Sequence, residues 1–390
     1  MSETTKGQRS RRVAFLEQSQ IRGMTAKCRE VGGINLGQGI CPLPSPPELL
    51  KAASKAVSDD KSIYSKYSGV SELREAVAAK LKRYNGLQID ADRELVTTVG
   101  SAGAFCCTLQ GLFNPGDEII VFEPYYGYHI NAIKVSGCRA KTVRLRRPDW
   151  RLEPGDLEAA LSENTRAVLV NTPGNPSGKV FGEDELEAIA AFCQRHDLLA
   201  VTDEIYEYMV FDGHRHRSLA TFEGMRERTV TISGFSKTFA ITGWRLGYAA
   251  APPELAEPIG LVNDLFYICA PTPLQYGLAE ALEVLDDGYY DQICERYRQN
   301  RDLFCEALRE GGLEPMVPQG SYYVLADVSA LGCEDSKQAA MKLLGTTGVA
   351  SVPGSAFFDG DGGRDLVRFC VAQPRDVLEE AAQRMADGIN

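Results

Sequence analysis

Histidine, tryptophan and positive charge are what this 390-residue chain has least of. It holds four histidines and two tryptophans. No carboxylate or thiol framework accompanies His214-x-His216, so no metal is expected and that stretch reads as an exposed loop. Lysine and arginine number 42 against 53 acids, a net charge of −11, which argues against a nucleic-acid partner. No apolar run is long enough to span a bilayer, so no membrane partner is expected. The opening MSETTKGQRSRR lacks the apolar core of a secretory signal and reads as a frayed tail, with an organellar address as the second reading. Neither a dinucleotide GxGxxG nor a Walker lysine is present, which sets aside a nicotinamide dehydrogenase. Internal repeats and low-complexity segments are missing too. The 11 cysteines are odd in number and form no Cys-x-x-Cys pair. Cys106-Cys107, Cys193, Cys269 and Cys370 lie in apolar surroundings, as small hydrophobes of a reducing compartment, the cytoplasm.

What is present is ordinary globular composition, 44% apolar and 24% charged, in a chain long enough for one large unit and a smaller one. Residues 13–30 read as one helix. A glycine-rich run comes next, with Gly33, Gly37 and Gly39 suited to close backbone approach. Pro46-Pro47 opens a helix with Leu49, Leu50, Ala53 and Val57 at helical spacing, and Leu73, Val77 and Leu81 mark another. Strands are expected at 94–99, 118–122, 141–145, 166–171, 198–202, 229–232 and 246–250, with helices between several of them. Near-continuous apolar strands alternating with helices predict an α/β fold around a largely parallel sheet covered on both faces. From Thr272 onward a smaller α+β unit is expected, with a long helix over 289–310 and strands at 320–327 and 366–371.

In such folds ligands bind beyond the carboxyl ends of the strands. Five of these strands lead directly into residues with distinctive chemistry. After 94–99 come Gly100-Ser101-Ala102 and a helix N-terminus, an anion site. After 118–122 come Tyr125 and Tyr126; after 166–171, Asn175; after 198–202, Asp203-Glu204-Ile205-Tyr206. After 229–232 comes Lys237, set among small residues and Phe235/Phe239, with Arg245 eight residues on. A lysine in apolar surroundings loses its charge readily and becomes a nucleophile toward an aldehyde. Arginine is a fork of donors suited to phosphate. An aldehyde carrying a phosphate is pyridoxal 5′-phosphate. Asp203 would keep its ring nitrogen protonated, Asn175 and Tyr206 would donate to its phenolic oxygen, and Tyr126, chosen over Tyr125, would cover the ring. Ser101, Ala102 and Arg245 would hold the phosphate. Arg368, between Val367 and Phe369, is the candidate for a substrate α-carboxylate.

Across nearly its whole length the chain resembles the class I/II aminotransferases of the fold-type-I pyridoxal-phosphate superfamily, including aspartate, aromatic and kynurenine aminotransferases. Gly234-Phe235-Ser236-Lys237 with Gly243-Trp244-Arg245-Leu246-Gly247 is similar to the family's lysine signature. Asn171-Thr172-Pro173-Gly174-Asn175-Pro176-Ser177-Gly178, Asp203-Glu204-Ile205-Tyr206, the early INLGQG and the late VRF around Arg368 occur in the family's order. The resemblance implies an enzyme that moves an amino group from an L-amino acid to a 2-oxo acid. Lys237 would form the Schiff base and carry the proton. Asn175 and the Gly37 backbone would help Arg368 hold the carboxylate. Tyr64 would reach the phosphate of the neighbouring subunit in a homodimer with shared sites. The implied division is an N-terminal segment over 1–45, a large cofactor-binding domain over 46–284 and a small domain over 285–390.

The chain departs from the family in two places. Gly234 stands where many relatives carry a phosphate-contacting serine, leaving Ser233 or Ser236 as replacements. Gly39-Ile40-Cys41-Pro42-Leu43 replaces the GxPDF that lines the substrate pocket in relatives. Ile40, Cys41 and Leu43 predict a pocket for a neutral, aromatic or sulfur-containing donor, with glutamate/2-oxoglutarate as the partner pair. A cysteine-conjugate β-lyase or a pyridoxal-phosphate oxidase would use the same lysine and aspartate. A cofactor-sensing regulator would need a DNA-binding head, and no such segment precedes residue 13.

Overall fold

Strands whose odd and even residues are both apolar need cover on both sides, and this chain supplies it. The computed structural model describes residues 10–16 and 19–388. At its centre, seven strands form one sheet in the order Leu95–Val99, Leu246–Ala250, Thr229–Gly234, Leu199–Asp203, Thr165–Asn171, Glu118–Glu123 and Arg139–Arg144. Ile119, Val121, Leu169, Val201 and Ile232 pack on one face beneath helices Gly100–Leu112 and Pro253–Tyr267. Their neighbours Ile120, Phe122, Val168, Val170 and Ala200 pack on the other, against helix Glu183–Arg195. The chain is therefore α/β, with a mixed central sheet covered by helices on both faces.

Only Leu246–Ala250 runs against its neighbours. The other six strands share one direction. Their carboxyl ends line one edge, and the reversed strand brings its amino end, after Arg245, to that same edge. The register sets Val99 opposite Leu246 and Gly234 opposite Gly247.

A second sheet has four antiparallel strands in the order Val352–Pro353, Leu366–Cys370, Tyr323–Asp327 and Glu314–Met316. Helices Asp287–Glu310, Ser336–Thr347 and Arg375–Gly388 pack on it. Ile34–Asn35 pairs in parallel with Val349–Ala350, and Met24, Cys28 and Leu36 join the same core. Met24, Cys28 and Ile34–Asn35 thus pack with the C-terminal strands and helices. No helix among the described residues is long and apolar enough to cross a membrane.

Three expectations need correcting. The helix expected over 13–30 is Gln20–Glu30, preceded by a short 3-10 turn at Arg11–Val13. In helix Pro47–Ser58 the buried stripe is Leu49, Ala52, Ala53 and Ala56, while Leu50 and Val57 are exposed. The close approach of helix Thr272–Val284 explains this: a Cβ on Gly277 would lie 2.6 Å from the Ala53 Cα, so the contacting face must be small. Finally, His216 is not in open solvent. Its side chain is 1% exposed, with Nε2 2.8 Å from Glu204 Oε2.

That histidine belongs to a buried network behind the sheet edge. Lys80 pairs with Glu207 at 2.5 Å, Asn85 donates to Glu207, and Ser218 donates to Glu204. Burial opposes the Glu207 charge, but Lys80, His216 and Asn85 outweigh it and hold the carboxyl below the usual glutamate value. Glu207 thus contributes stability above its unfolded pKa, lost as pH falls through the lower folded value. Among the described residues Glu204, Glu207 and His216 are the one group spaced to hold a metal ion, and the Lys80 ammonium already meets the charge there. Lys80→Met leaves a buried carboxylate unpaired and is expected to cost about 3–5 kcal/mol, read as a lower urea midpoint. Lys80→Met with Glu207→Leu is expected to lose less than the single change.

Candidate active site

Lys237 comes after strand Thr229–Gly234 on a loop pinned by Phe235 and Phe239, both buried. Its Nζ donates to the Gly39 carbonyl at 3.1 Å and lies 5.8 Å from the Tyr322 ring centre. Burial pushes its amine below the ordinary lysine value, and the Arg245 and Arg368 charges push the same way. Gly39 permits this approach: a Cβ there would meet the Tyr323 hydroxyl at 2.0 Å.

Asp203 ends the next strand. Its Oδ2 is 2.9 Å from His129 Nε2, and Oδ1 accepts from the Ile205 amide. Asn175 lies over the third strand end, with its amide donating to Asn171 Oδ1. Tyr206 is buried, its hydroxyl 3.4 Å from that of Tyr323. Burial raises its pKa well above the usual phenol value, so it stays a donor. Tyr126, not Tyr125, faces the cavity and stacks on Tyr128 with centroids 5.2 Å apart. Tyr125 is turned into the core and donates to Asp359.

Arg368 is fully buried, at 1% exposure. It donates through Nη1 to Asn175 Oδ1 at 2.9 Å and through Nη2 to the Gly37 carbonyl at 2.7 Å. Tyr323 and Phe357 flank its plane at 4.3 and 4.8 Å. Its Nε has no hydrogen-bond partner. A buried guanidinium N–H left unpaired calls for an acceptor that enters from outside.

Lys237, Asp203, Tyr206, Tyr126, Asn175, Ser101 and Arg368 line one cavity of about 230 Å³. Ala102, Arg245, Gly37 and Tyr64 do not. Gly37 acts through its carbonyl alone. Arg245 is exposed, with its guanidinium beside Gly100: a Cβ there would lie 2.6 Å from Nη2, and Gly100 has a φ of +71° that favours glycine. Ala102 is exposed at the start of helix Gly100–Leu112, and Tyr64 is 75% exposed on the surface.

The two departures resolve differently. Ser233 donates to Glu207 Oε1 and to the Glu204 carbonyl, so it serves the buried network and leaves Ser236 nearer the loop. A Cβ on Gly234 would crowd Ile205 at 3.1 Å and the Leu246 carbonyl at 3.2 Å, which disfavours serine there. Of the expected pocket residues only Ile40 lines the cavity. Cys41 is buried with Sγ 2.9 Å from the Tyr297 hydroxyl, and Leu43 packs against the C-terminal core. Sequence reasoning missed His129 and Tyr323. His129 stands three residues after Tyr126 in the same strand-end segment, which was its one available signal.

The family model described as "Aminotransferase class I and II" matches residues 31–385. The probable N-succinyldiaminopimelate aminotransferase DapC of Mycobacterium tuberculosis is 35% identical over 93% of this chain and 94% of its own length. Kynurenine--oxoglutarate transaminase 3 of Mus musculus is 34% identical over 97% of this chain and 90% of its own. The solved N-succinyldiaminopimelate aminotransferase of M. tuberculosis superposes with a TM-score of 0.94 at 34% identity, covering 97% of this chain and 99% of that one. The methionine aminotransferase YbdL of Escherichia coli superposes with a TM-score of 0.93 at 33% identity, covering 97% and 99%. Such enzymes depend on pyridoxal phosphate.

The residues present fit that cofactor. A desolvated amine, an acid held by a histidine, an aromatic plate and a helix N-terminus beside an arginine meet at one sheet edge, next to an unpaired guanidinium N–H. Because the Lys237 pKa is depressed, its reactive neutral form is reached below the ordinary lysine range. The rate at which cofactor-free protein takes up pyridoxal phosphate, measured by absorbance, is expected to rise with pH and level off below pH 10.5. Arg368→Lys removes the fork and the unpaired Nε. We expect it to raise KM for amino acids about 10- to 100-fold, measured in steady-state assays.

Proposed function

The chain belongs to the class I and II aminotransferases, and from that premise we propose how its own residues perform the transfer of an amino group from an L-amino acid to a 2-oxo acid. The observation that carries the proposal is the meeting of a desolvated Lys237 and a buried Arg368 with a free Nε in one cavity. When bound, the cofactor supplies an aldehyde for amine exchange and a ring that steadies negative charge at the substrate's α-carbon. Lys237 supplies the neutral amine for condensation and, once released, its Nζ takes and returns the α-proton. Asp203 would keep a proton on the cofactor's ring nitrogen, and His129 holds the carboxylate in place. Tyr206 and Asn175 would donate to its phenolic oxygen. Ser101, the Ala102 amide and Arg245 would hold the phosphate. Arg368 binds the α-carboxylate, steadied by Asn175 and the Gly37 carbonyl.

Residues 46–284 form the cofactor-bearing domain in this reading. The described residues of 1–45 with those of 285–390 form the smaller one that brings Arg368. The donor is a neutral, aromatic or sulfur-containing amino acid, because Ile21, Ile40 and Tyr128 offer apolar surface to its side chain. Glutamate and 2-oxoglutarate are the partner pair. The enzyme works as a homodimer in a reducing compartment, the cytoplasm. Leu261, Leu265 and Phe266 on one helix are more than half exposed, and Ile63 and Tyr64 more so, an apolar surface that a second copy would cover. All eleven cysteines are free.

A half-reaction screen tests the reading. Each amino acid is added to holoenzyme and the shift of cofactor absorbance to the pyridoxamine form is recorded. Methionine, phenylalanine and kynurenine are expected to drive it faster than aspartate; a strong aspartate preference would overturn the donor class. Lys237→Ala is expected to abolish turnover and borohydride-stable labelling alike.

A further inference from the structure

One charged group of the cavity has no task in the amino-group transfer as assigned to Lys237 and its neighbours. Arg22 lines the same cavity as Lys237 and Arg368, beside Ile21, Ile40 and Tyr128. It is exposed, and among the described residues it makes no hydrogen bond or ion pair. No acid answers it from the cavity wall: the one carboxylate there is Asp203, already held by His129. Arg22 also stands in the first turn of helix Gln20–Glu30, whose start has neither an acidic residue nor a side-chain cap. A cation at that end opposes the helix dipole, an arrangement that an added anion relieves.

We propose that Arg22 is the specificity residue that takes the distal carboxylate of a dicarboxylic 2-oxo acid or amino acid, while Arg368 takes the carboxylate beside the reacting carbon. The inference rests on the transaminase reading and adds to it the residue that admits a dicarboxylate to an otherwise apolar wall. A neutral donor leaves Arg22 in water at little cost, since the side chain is exposed and its head stays hydrated. One cavity then serves both halves of the exchange. The neutral side chain rests on Ile21, Ile40 and Tyr128, and the acidic one reaches past them to Arg22.

The test uses holoenzyme carrying Arg22→Met or Arg22→Lys, with one neutral donor. Two acceptors are compared: 2-oxoglutarate, and 2-oxohexanoate, which lacks the distal charge. Binding of glutarate and of pentanoate is measured alongside by calorimetry. Arg22→Met is expected to lower kcat/KM for 2-oxoglutarate about tenfold, through KM, and to weaken glutarate binding in parallel. Turnover of 2-oxohexanoate and binding of pentanoate are expected to stay within about twofold, and Arg22→Lys to retain most of the dicarboxylate preference. Equal losses on both acceptors, an unchanged glutarate affinity, or a parent enzyme that prefers 2-oxohexanoate would overturn the inference while leaving the transaminase reading intact. A parent enzyme that transfers no amino group from any donor to either acceptor would overturn both.

Discussion

An amine that is to give up its proton more readily than an ordinary lysine has first to be taken out of water, and kept away from any acid that would steady its charge. Lys237 meets both conditions. It is closed in by Tyr322, Cys41 and Cys370, and its nearest polar partner is a carbonyl, not a carboxylate. Lys80 makes the contrast within the same protein. It too is buried, but Glu207 stands 2.5 Å away, and it serves as one half of an ion pair. Burial alone therefore does not set a lysine's use; the neighbour supplied by a distant segment does.

The sheet is what brings the right neighbours. Six strands running one way deliver Ser101, Tyr126, Asn175, Asp203 and Lys237 to a common edge, and the reversed strand Leu246–Ala250 turns Arg245 back to it. A parallel arrangement throughout would have carried Arg245 to the far end. The antiparallel small sheet then presents Arg368 from the middle of a strand, between Leu325 and Val352. In the proposed assignment the substrate's carboxylate would thereby meet a different sheet from the one whose strand ends would hold the cofactor.

Much of this was legible because each strand end contributes its own group, and the group sits within a few residues of the strand that aims it. Asp203, Lys237 and Asn175 could be picked out in that way, while Arg368 stood out as a charge between Val367 and Phe369 inside a strand. His129 and Tyr323 could not, since their contacts with Asp203 and Tyr206 span 74 and 117 residues. The same limit hid His216, whose burial depends on Glu204 and Ser218 around it. Ser233 was ambiguous until the strand's direction placed it against Glu207. Leu50 and Val57 misled for another reason: where helices approach closely the contacting stripe must be alanine and glycine, and large apolar residues point elsewhere.

The glycine-rich turn after Ile34–Asn35 touches both halves of the chemistry with neighbouring carbonyls. Gly37 accepts from Arg368, and two residues on Gly39 accepts from Lys237. The turn is itself anchored to Val349–Ala350. Three residues of backbone, Gly37 to Gly39, therefore set the place of both the guanidinium and the amine.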